Sequence, residues 1–208
     1  SALCVQKPRV TFQFAKRAFE DALIASGIAY SIVRPTAFFK SLSGQVERIR
    51  AGRSFLVFGD GQLTACKPIS DRDLGVYLAD CFSNPTKRNK ILPIGGPGDA
   101  ITPLDQAHFL FGALKRKPLI RHVPLAMMRM IISGLTLAGY VSRRAADHAE
   151  FARIGYYYAT ESMLLWNDAL KTYDAAATPS TGQDTLFDHY LALISGQSIH
   201  ERSDHSVF

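Results

Sequence analysis

The chain predicts an α/β fold, and three observations carry that prediction. Short β-rich runs, Ile28–Val33, Ile91–Ile94 and Leu119–Val123, alternate with segments whose apolar residues recur at helical spacing. The first run is largely apolar, as a parallel strand covered on both faces would be. The later half is richer in helical pattern than the first, so a core sheet followed by a smaller helix-rich lobe is expected.

Pro8 and Ser26-Gly27 bracket the first helix, in which Phe12, Ala15, Phe19, Ala22 and Leu23 follow the helical period. The strand Ile28–Val33 comes next. Ser43–Arg50 is expected to be helical and to end at Ala51-Gly52. In SFLVFGDGQLTACKPIS, two β-rich runs flank Gly59-Asp60-Gly61, which predicts a hairpin. Ser70 with Asp73, and Thr102 with Asp105, read as capping boxes opening helices over Asp71–Phe82 and from Pro103 to about Lys115.

Gly95-Gly96-Pro97-Gly98 reads as a tight turn closing the strand Ile91–Ile94. Leu119–Val123 leads into an apolar helix from Leu125. Ala145–Leu165 is an amphipathic segment containing Tyr156, Tyr157 and Tyr158. Turn chemistry at Thr178–Gly182 precedes a closing helix over Thr185–Ile194, and the polar tail His200–Phe208 is expected to be flexible.

With 208 residues and 47% hydrophobic content, the chain can bury a substantial core. No run reaches the roughly 18 uninterrupted apolar residues of a membrane span. Pro124–Val141 comes nearest and Arg129 interrupts it, so a mostly buried helix is expected there, with contact to a membrane surface the alternative. The net charge of +6 arises from short runs such as Lys115–Lys117 and Arg143-Arg144. Nucleic-acid binding would require a denser basic face interleaved with aromatics, and none is present. The three cysteines, Cys4, Cys66 and Cys81, lack ligand or disulfide spacing, so neither zinc nor a disulfide framework is expected.

The chemistry is concentrated at the start. Phe12 and Lys16 stand four residues apart on one helix face. A short loop and a strand follow, and then Arg34-Pro35-Thr36-Ala37-Phe38 at the strand's end, where open α/β sheets bind ligands. This order resembles the short-chain dehydrogenase/reductases, whose helix carries Tyr-x-x-x-Lys and whose Arg-Pro segment lies along the nicotinamide. Phe12 occupies the tyrosine position. A dinucleotide site also needs a strand, a glycine-rich turn and a helix N-terminus. Gly95–Gly98 comes too late to supply that, so the chain is expected to be the C-terminal part of a longer reductase.

The resemblance sharpens over SIVRPTAFFKSLSGQVE, VFGDGQLTACKPISDRDL and ILPIGGPGDAITPLDQ, and again over FARIGYYYATESML and TPSTGQDTLFDHY. These stretches are similar to the divinyl (proto)chlorophyllide 8-vinyl reductases, a family of the atypical, NmrA-like short-chain dehydrogenase/reductases. Members carry phenylalanine where Phe12 stands.

The resemblance implies a Rossmann-like NAD(P)-binding core over residues 1–90, containing the hairpin insertion, a substrate lobe over 91–199 and a tail over 200–208. It implies NADPH as cofactor, with Lys16 as the catalytic lysine and Lys16, Arg34, Pro35, Thr36, Ala37 and Phe38 as cofactor contacts. Phe39, Lys40, Cys66 and Lys67 would stand on the substrate side. No metal is implied. The partner would be a tetrapyrrole, with peripheral contact to a photosynthetic membrane, in a bacterial cytoplasm or alternatively a chloroplast.

Elementary chemistry is compatible with the loss of the tyrosine. Carbonyl reduction needs a positioned acid to protonate an alkoxide. A vinyl group conjugated to a macrocycle can take hydride at its terminal carbon and spread the charge over the ring. Three functions fit these residues: the vinyl reductase, a catalytically silent NADP-binding regulator or photosystem assembly factor, and a reductase of phenylpropanoids.

Overall fold

A computed structural model of the chain describes residues 1–196. The expected tail at 200–208 and the last residues of the expected lobe lie outside the described residues. The expected α/β architecture is found: helices alternate with short strands, and the longer pairings are parallel.

A 3-10 turn, Leu3–Gln6, precedes helix α1, Thr11–Ala25. Gln13 caps this helix from within. Its Oε1 accepts the N–H groups of Arg9 at 2.7 Å and Val10 at 3.3 Å, donors that a helix start would otherwise leave without partners. Strand β1, Ser31–Pro35, follows and pairs in parallel with β3, Lys90–Ile94, so that Ser31 faces Lys90 and Pro35 faces Ile94. Among the described residues the other edge of β1 has no strand against it.

Two short helices, α2 (Phe39–Leu42) and α3 (Gly44–Arg50), lead to β2, Phe55–Phe58. The hairpin expected at Gly59–Gly61 does not form. Both glycines adopt positive φ and turn the chain, but β2 pairs in parallel with β4, Ile120–Val123. The backbone N–H groups of Phe55 and Gly59 go to the carbonyls of Leu119 and Val123 at 2.9 and 3.0 Å. The run beyond the turn is engaged elsewhere, where Cys66 exchanges two backbone hydrogen bonds with Ile101.

Helices α4 (Asp71–Ser83) and α5 (Pro103–Ala113) start where their caps predict, on Ser70 and Thr102. Helices α6 (Leu125–Gly139) and α7 (Arg143–Thr160) form an antiparallel pair. A small antiparallel ribbon, β5 (Leu165–Asn167) and β6 (Thr172–Asp174), and helix α8 (Leu186–Ser195) complete the described residues.

Among the described residues the core lies in three clusters. The largest packs Val46 and Ile49 of α3, Val57 of β2 and Leu110 of α5 against Leu186 and Tyr190 of α8. A second joins Leu3, Cys4 and Val5 to Cys66, Tyr157 and Met163, and a third holds Val33, Ile69, Leu74 and Ile94 between β1, β3 and α4.

The segment 178–184 then closes over the sheet end. Gly95 donates to Pro179 at 2.8 Å and Thr181 donates back to Gly95 at 2.9 Å. The Lys67 ammonium reaches the Thr178 carbonyl, and Asp73 accepts the N–H groups of Gln183 and Asp184. Gly95-Gly96 is thus a close crossing rather than a tight turn. A Cβ on Gly96 would lie 1.8 Å from the carbonyl oxygen of Pro68.

Candidate active site

Two concavities meet at the C-terminal end of β1. The first is a groove of about 660 Å³ between α1, β1 and α4, lined by Lys16, Phe19, Pro35, Phe38 and Leu74 among others. The second is a cavity of about 230 Å³ bounded by Thr36, Ala37 and Phe38, strand β2, Cys66, Tyr158 and Met163. Phe38 lines both. Small-molecule pockets run to about 300–1,000 Å³, so the cavity suits one portion of a large ligand rather than the whole of it.

The structure brings most of the predicted site residues to this junction and holds others away from it. Lys16 is exposed on α1 and forms no ion pair among the described residues, because its neighbour Glu20 is taken by Arg34. That Arg34–Glu20 pair is buried, with Nε to Oε1 at 3.0 Å and a second contact from the guanidinium to Oε2. Burial alone would raise the Glu20 carboxyl, but Arg34 holds it below the usual range. Arg34 thus braces α1 against β1, with its guanidinium turned to Glu20.

Pro35 lines the groove. Thr36 is buried, donating its N–H to Ile94 at 3.0 Å and its hydroxyl to the Lys67 carbonyl. Ala37 accepts the N–H of Ile69 at 2.9 Å. The Thr36–Phe38 path between groove and cavity is therefore fixed from both sides.

Phe39, expected on the substrate side, is a core residue packed with α3 and α5, its ring 5.4 Å from that of His189. Strand-to-helix geometry turns successive side chains apart, so Phe38 reaches the cavity and Phe39 the core. Lys40 is half-buried on α2 and lies outside the lining of both concavities. Cys66 does line the cavity, and burial pushes its thiol up to about 12, so the thiol is uncharged at neutral pH. The Lys67 side chain points to Thr178 and Ser180, each at 3.3 Å.

Sequence reasoning assigned no role to Glu161, and Tyr158 entered only as one member of a tyrosine cluster. Glu161 lines the cavity and accepts from Lys7 and Arg9, each at 2.8 Å, and from the Tyr173 hydroxyl. Burial would raise its carboxyl, but Lys7, Tyr173 and Arg9 together keep it below the usual range. It is an ionised structural anchor. Its signal was the isolated acid at the end of a helix, which nothing local distinguishes from a solvated one.

A nicotinamide nucleotide is compatible with one part of this geometry. Lys16 offers an uncommitted ammonium beside Pro35 and Phe38, at the strand end where such ligands sit. Among the described residues no glycine-rich turn opens a helix, so these elements would serve the nicotinamide end alone.

Comparisons with known proteins agree with this reading of the fold. No family profile matches the chain. The divinyl chlorophyllide a 8-vinyl-reductase of Cucumis sativus, chloroplastic by name, is 47% identical over the whole chain and 51% of its own length. The Oryza sativa subsp. indica and Arabidopsis thaliana enzymes of the same name are 48% and 46% identical, over 100% and 97% of this chain. The chain thus spans about half the length of the curated relatives it matches.

Among solved structures, an NADPH-dependent quinone oxidoreductase from Escherichia coli is 16% identical with a TM-score of 0.61, over 93% of this chain and 64% of that one. Isoflavone reductase is 15% identical with a TM-score of 0.63, over 93% of this chain and 63% of that one. The fold is Rossmann-like, shared with these two solved proteins.

Proposed function

Starting from a chain related over its whole length to the divinyl chlorophyllide a 8-vinyl-reductases, we propose that its protein reduces the 8-vinyl group of divinyl protochlorophyllide or chlorophyllide a to ethyl, using NADPH. The observation that carries this is the junction at Phe38, where a groove bearing Lys16 adjoins a cavity sized for part of a large ring system. NADPH, when bound, supplies the hydride.

In this reading Lys16 binds the nicotinamide ribose and contributes positive potential. Pro35 to Phe38 form the wall between cofactor and substrate, with Thr36 and Ala37 fixed by their backbone bonds. Cys66 and Met163 add apolar surface against the vinyl-bearing ring. Residues 1–90 supply most of the cofactor side. The substrate side draws on both halves of the chain, since Thr36–Cys66 and Ile101–Met163 meet around one cavity. Phe12 packs against the second core cluster, consistent with a reaction that forms no alkoxide.

Peripheral association with a membrane is part of the proposal. Met127, Met130, Ile131, Leu137 and Val141 recur at helical spacing and stand exposed, Leu137 at 72% and Val141 at 92%. From Gln106 to Ala146 the chain has no acidic residue but carries Lys115, Arg116, Lys117, Arg121, Arg129, Arg143 and Arg144. An apolar stripe flanked by cations suits an anionic bilayer surface. No helix among the described residues is long and apolar enough to cross one. The chloroplastic names of the relatives support a plastid over a bacterial cytoplasm.

The test is HPLC of divinyl protochlorophyllide incubated with NADPH and the full-length protein. Conversion to the monovinyl product is expected. Unchanged substrate with NADPH bound would instead favour the silent regulator, the alternative that the phenylalanine at position 12 supports.

A further inference from the structure

Vinyl reduction needs a proton as well as a hydride, and Phe12 has none to give. Among the described residues, the titratable groups around the cavity are few. Glu161 is held ionised by two cations and a phenol. Tyr157 is buried and spends its hydroxyl on the Cys4 carbonyl at 3.2 Å. The Cys66 thiol is fully buried, with its sulfur against the Ile101 carbonyl. Tyr158 differs from all three in that, among the described residues, its hydroxyl is engaged only by the Cys4 thiol, a weak hydrogen-bond partner. It lies in the last turn of α7, lines the cavity beside Thr36, Ala37 and Phe38, and packs on the same buried cluster as Phe12 and Ala37.

We propose that Tyr158 is the proton donor for the vinyl reduction, taking from α7 the task that Phe12 cannot perform from α1. The inference rests on the proposed function above. Hydride adds to the terminal vinyl carbon, and the π pair moves to the inner carbon and into the macrocycle. The Tyr158 O–H bond then breaks as the inner C–H bond forms, giving the ethyl group and a tyrosinate that solvent reprotonates. NADPH is oxidised, the substrate is reduced, and one solvent proton is consumed.

The ring of Tyr158 is held edge-on to Tyr157, with centroids 5.4 Å apart at 87°, which limits its movement during the reaction. Burial, the Cys4 thiol and Tyr157 all push the Tyr158 hydroxyl well above its ordinary value, so it is protonated throughout the neutral range. A weak acid suffices, because the carbanion is a far stronger base. Lys16, one turn beyond Phe12, contributes positive potential in this neighbourhood, acting on Cys4.

The experiment uses the full-length protein, with monovinyl product, NADPH affinity and substrate affinity measured separately. Tyr158→Phe is expected to lower kcat by about 10²–10⁴-fold, with both affinities unchanged. Tyr157→Phe should keep kcat within about threefold. A Tyr158→Phe kcat within that same margin, with an unchanged solvent isotope effect, would overturn the assignment. Tyr158→His guards against a merely structural loss. It should recover part of the rate with a new pH dependence near the imidazole range of about 6–7, whereas a pH-independent rate equal to that of Tyr158→Phe would also overturn it. If the wild-type protein makes no product, the vinyl-reductase reading itself falls, and the tyrosine's role falls with it.

Discussion

Glu20 on α1 and Arg34 on β1 form a buried ion pair that fixes the lysine-bearing helix to the strand entering the candidate site. Removing one partner leaves the other charged and desolvated, which typically costs about 3–5 kcal/mol. Arg34→Ala should therefore lower the urea midpoint sharply. The apolar pair Glu20→Leu/Arg34→Met should recover most of the loss. Retained NADPH affinity in that double variant would make Arg34 a brace, whereas lost affinity with recovered stability would give it a cofactor contact.

Lys16→Ala removes an exposed side chain with no ion pair among the described residues, so stability should change by less than about 0.5 kcal/mol. NADPH affinity should fall about tenfold, near 1.4 kcal/mol. Fluorescence titration reads this directly, and unchanged affinity would remove the proposed role.

Gly96→Ala should abolish soluble expression, since its Cβ would overlap the Pro68 carbonyl backbone. Gly98→Ala is the informative contrast. Its φ is +84° but nothing lies within 4 Å, so only the left-handed backbone penalty of about 1–2 kcal/mol applies. Equal losses at the two positions would show that the crossing tolerates separation.

Acid should loosen the contact of the first residues with the β5–β6 ribbon. The Glu161 carboxyl titrates below the ordinary glutamate value of about 4.5 in the folded chain, so its contribution is present above that pH and is lost as pH falls through the lowered folded value. Thermal melts from pH 6 down to 3 should show this slope. Glu161→Gln should flatten it while lowering stability at pH 7.

Met130→Glu/Leu137→Glu places two charges on the exposed stripe of α6. Partition of the full-length protein onto phosphatidylglycerol vesicles should fall more than tenfold with little change in Tm. Equal partition would free that stripe from any membrane role.

Much of this architecture could be read along the chain because its signals are local. Ser70 and Thr102 opened the helices their spacing promised, and the strands at 31–35, 90–94 and 120–123 lie within a few residues of expectation. What escaped was non-local. The Gly59–Gly61 turn is real, but the partner of β2 lies beyond α5, and no turn residue encodes that choice. The β5–β6 ribbon went unnoticed because each strand is only three residues long. Around the site, Lys16 and Pro35–Phe38 were legible from the motif order. Glu161 and Tyr158 were not, since their meaning depends on an N-terminal segment some 150 residues away.

The clasp of residues 178–184 over Lys67, Asp73 and Gly95 also bears on how the chain is made. These contacts join positions more than 80 residues apart, and contacts of that span are slow to form. On the ribosome, the first parallel pair can assemble well before the stretch that locks its end has been synthesised. Until then the carbonyl and amide of Gly95 and the carboxylate of Asp73 lack their final partners. The nascent sheet therefore has an unsealed end until synthesis reaches α8, and it is during that interval that the protein would depend most on a chaperone.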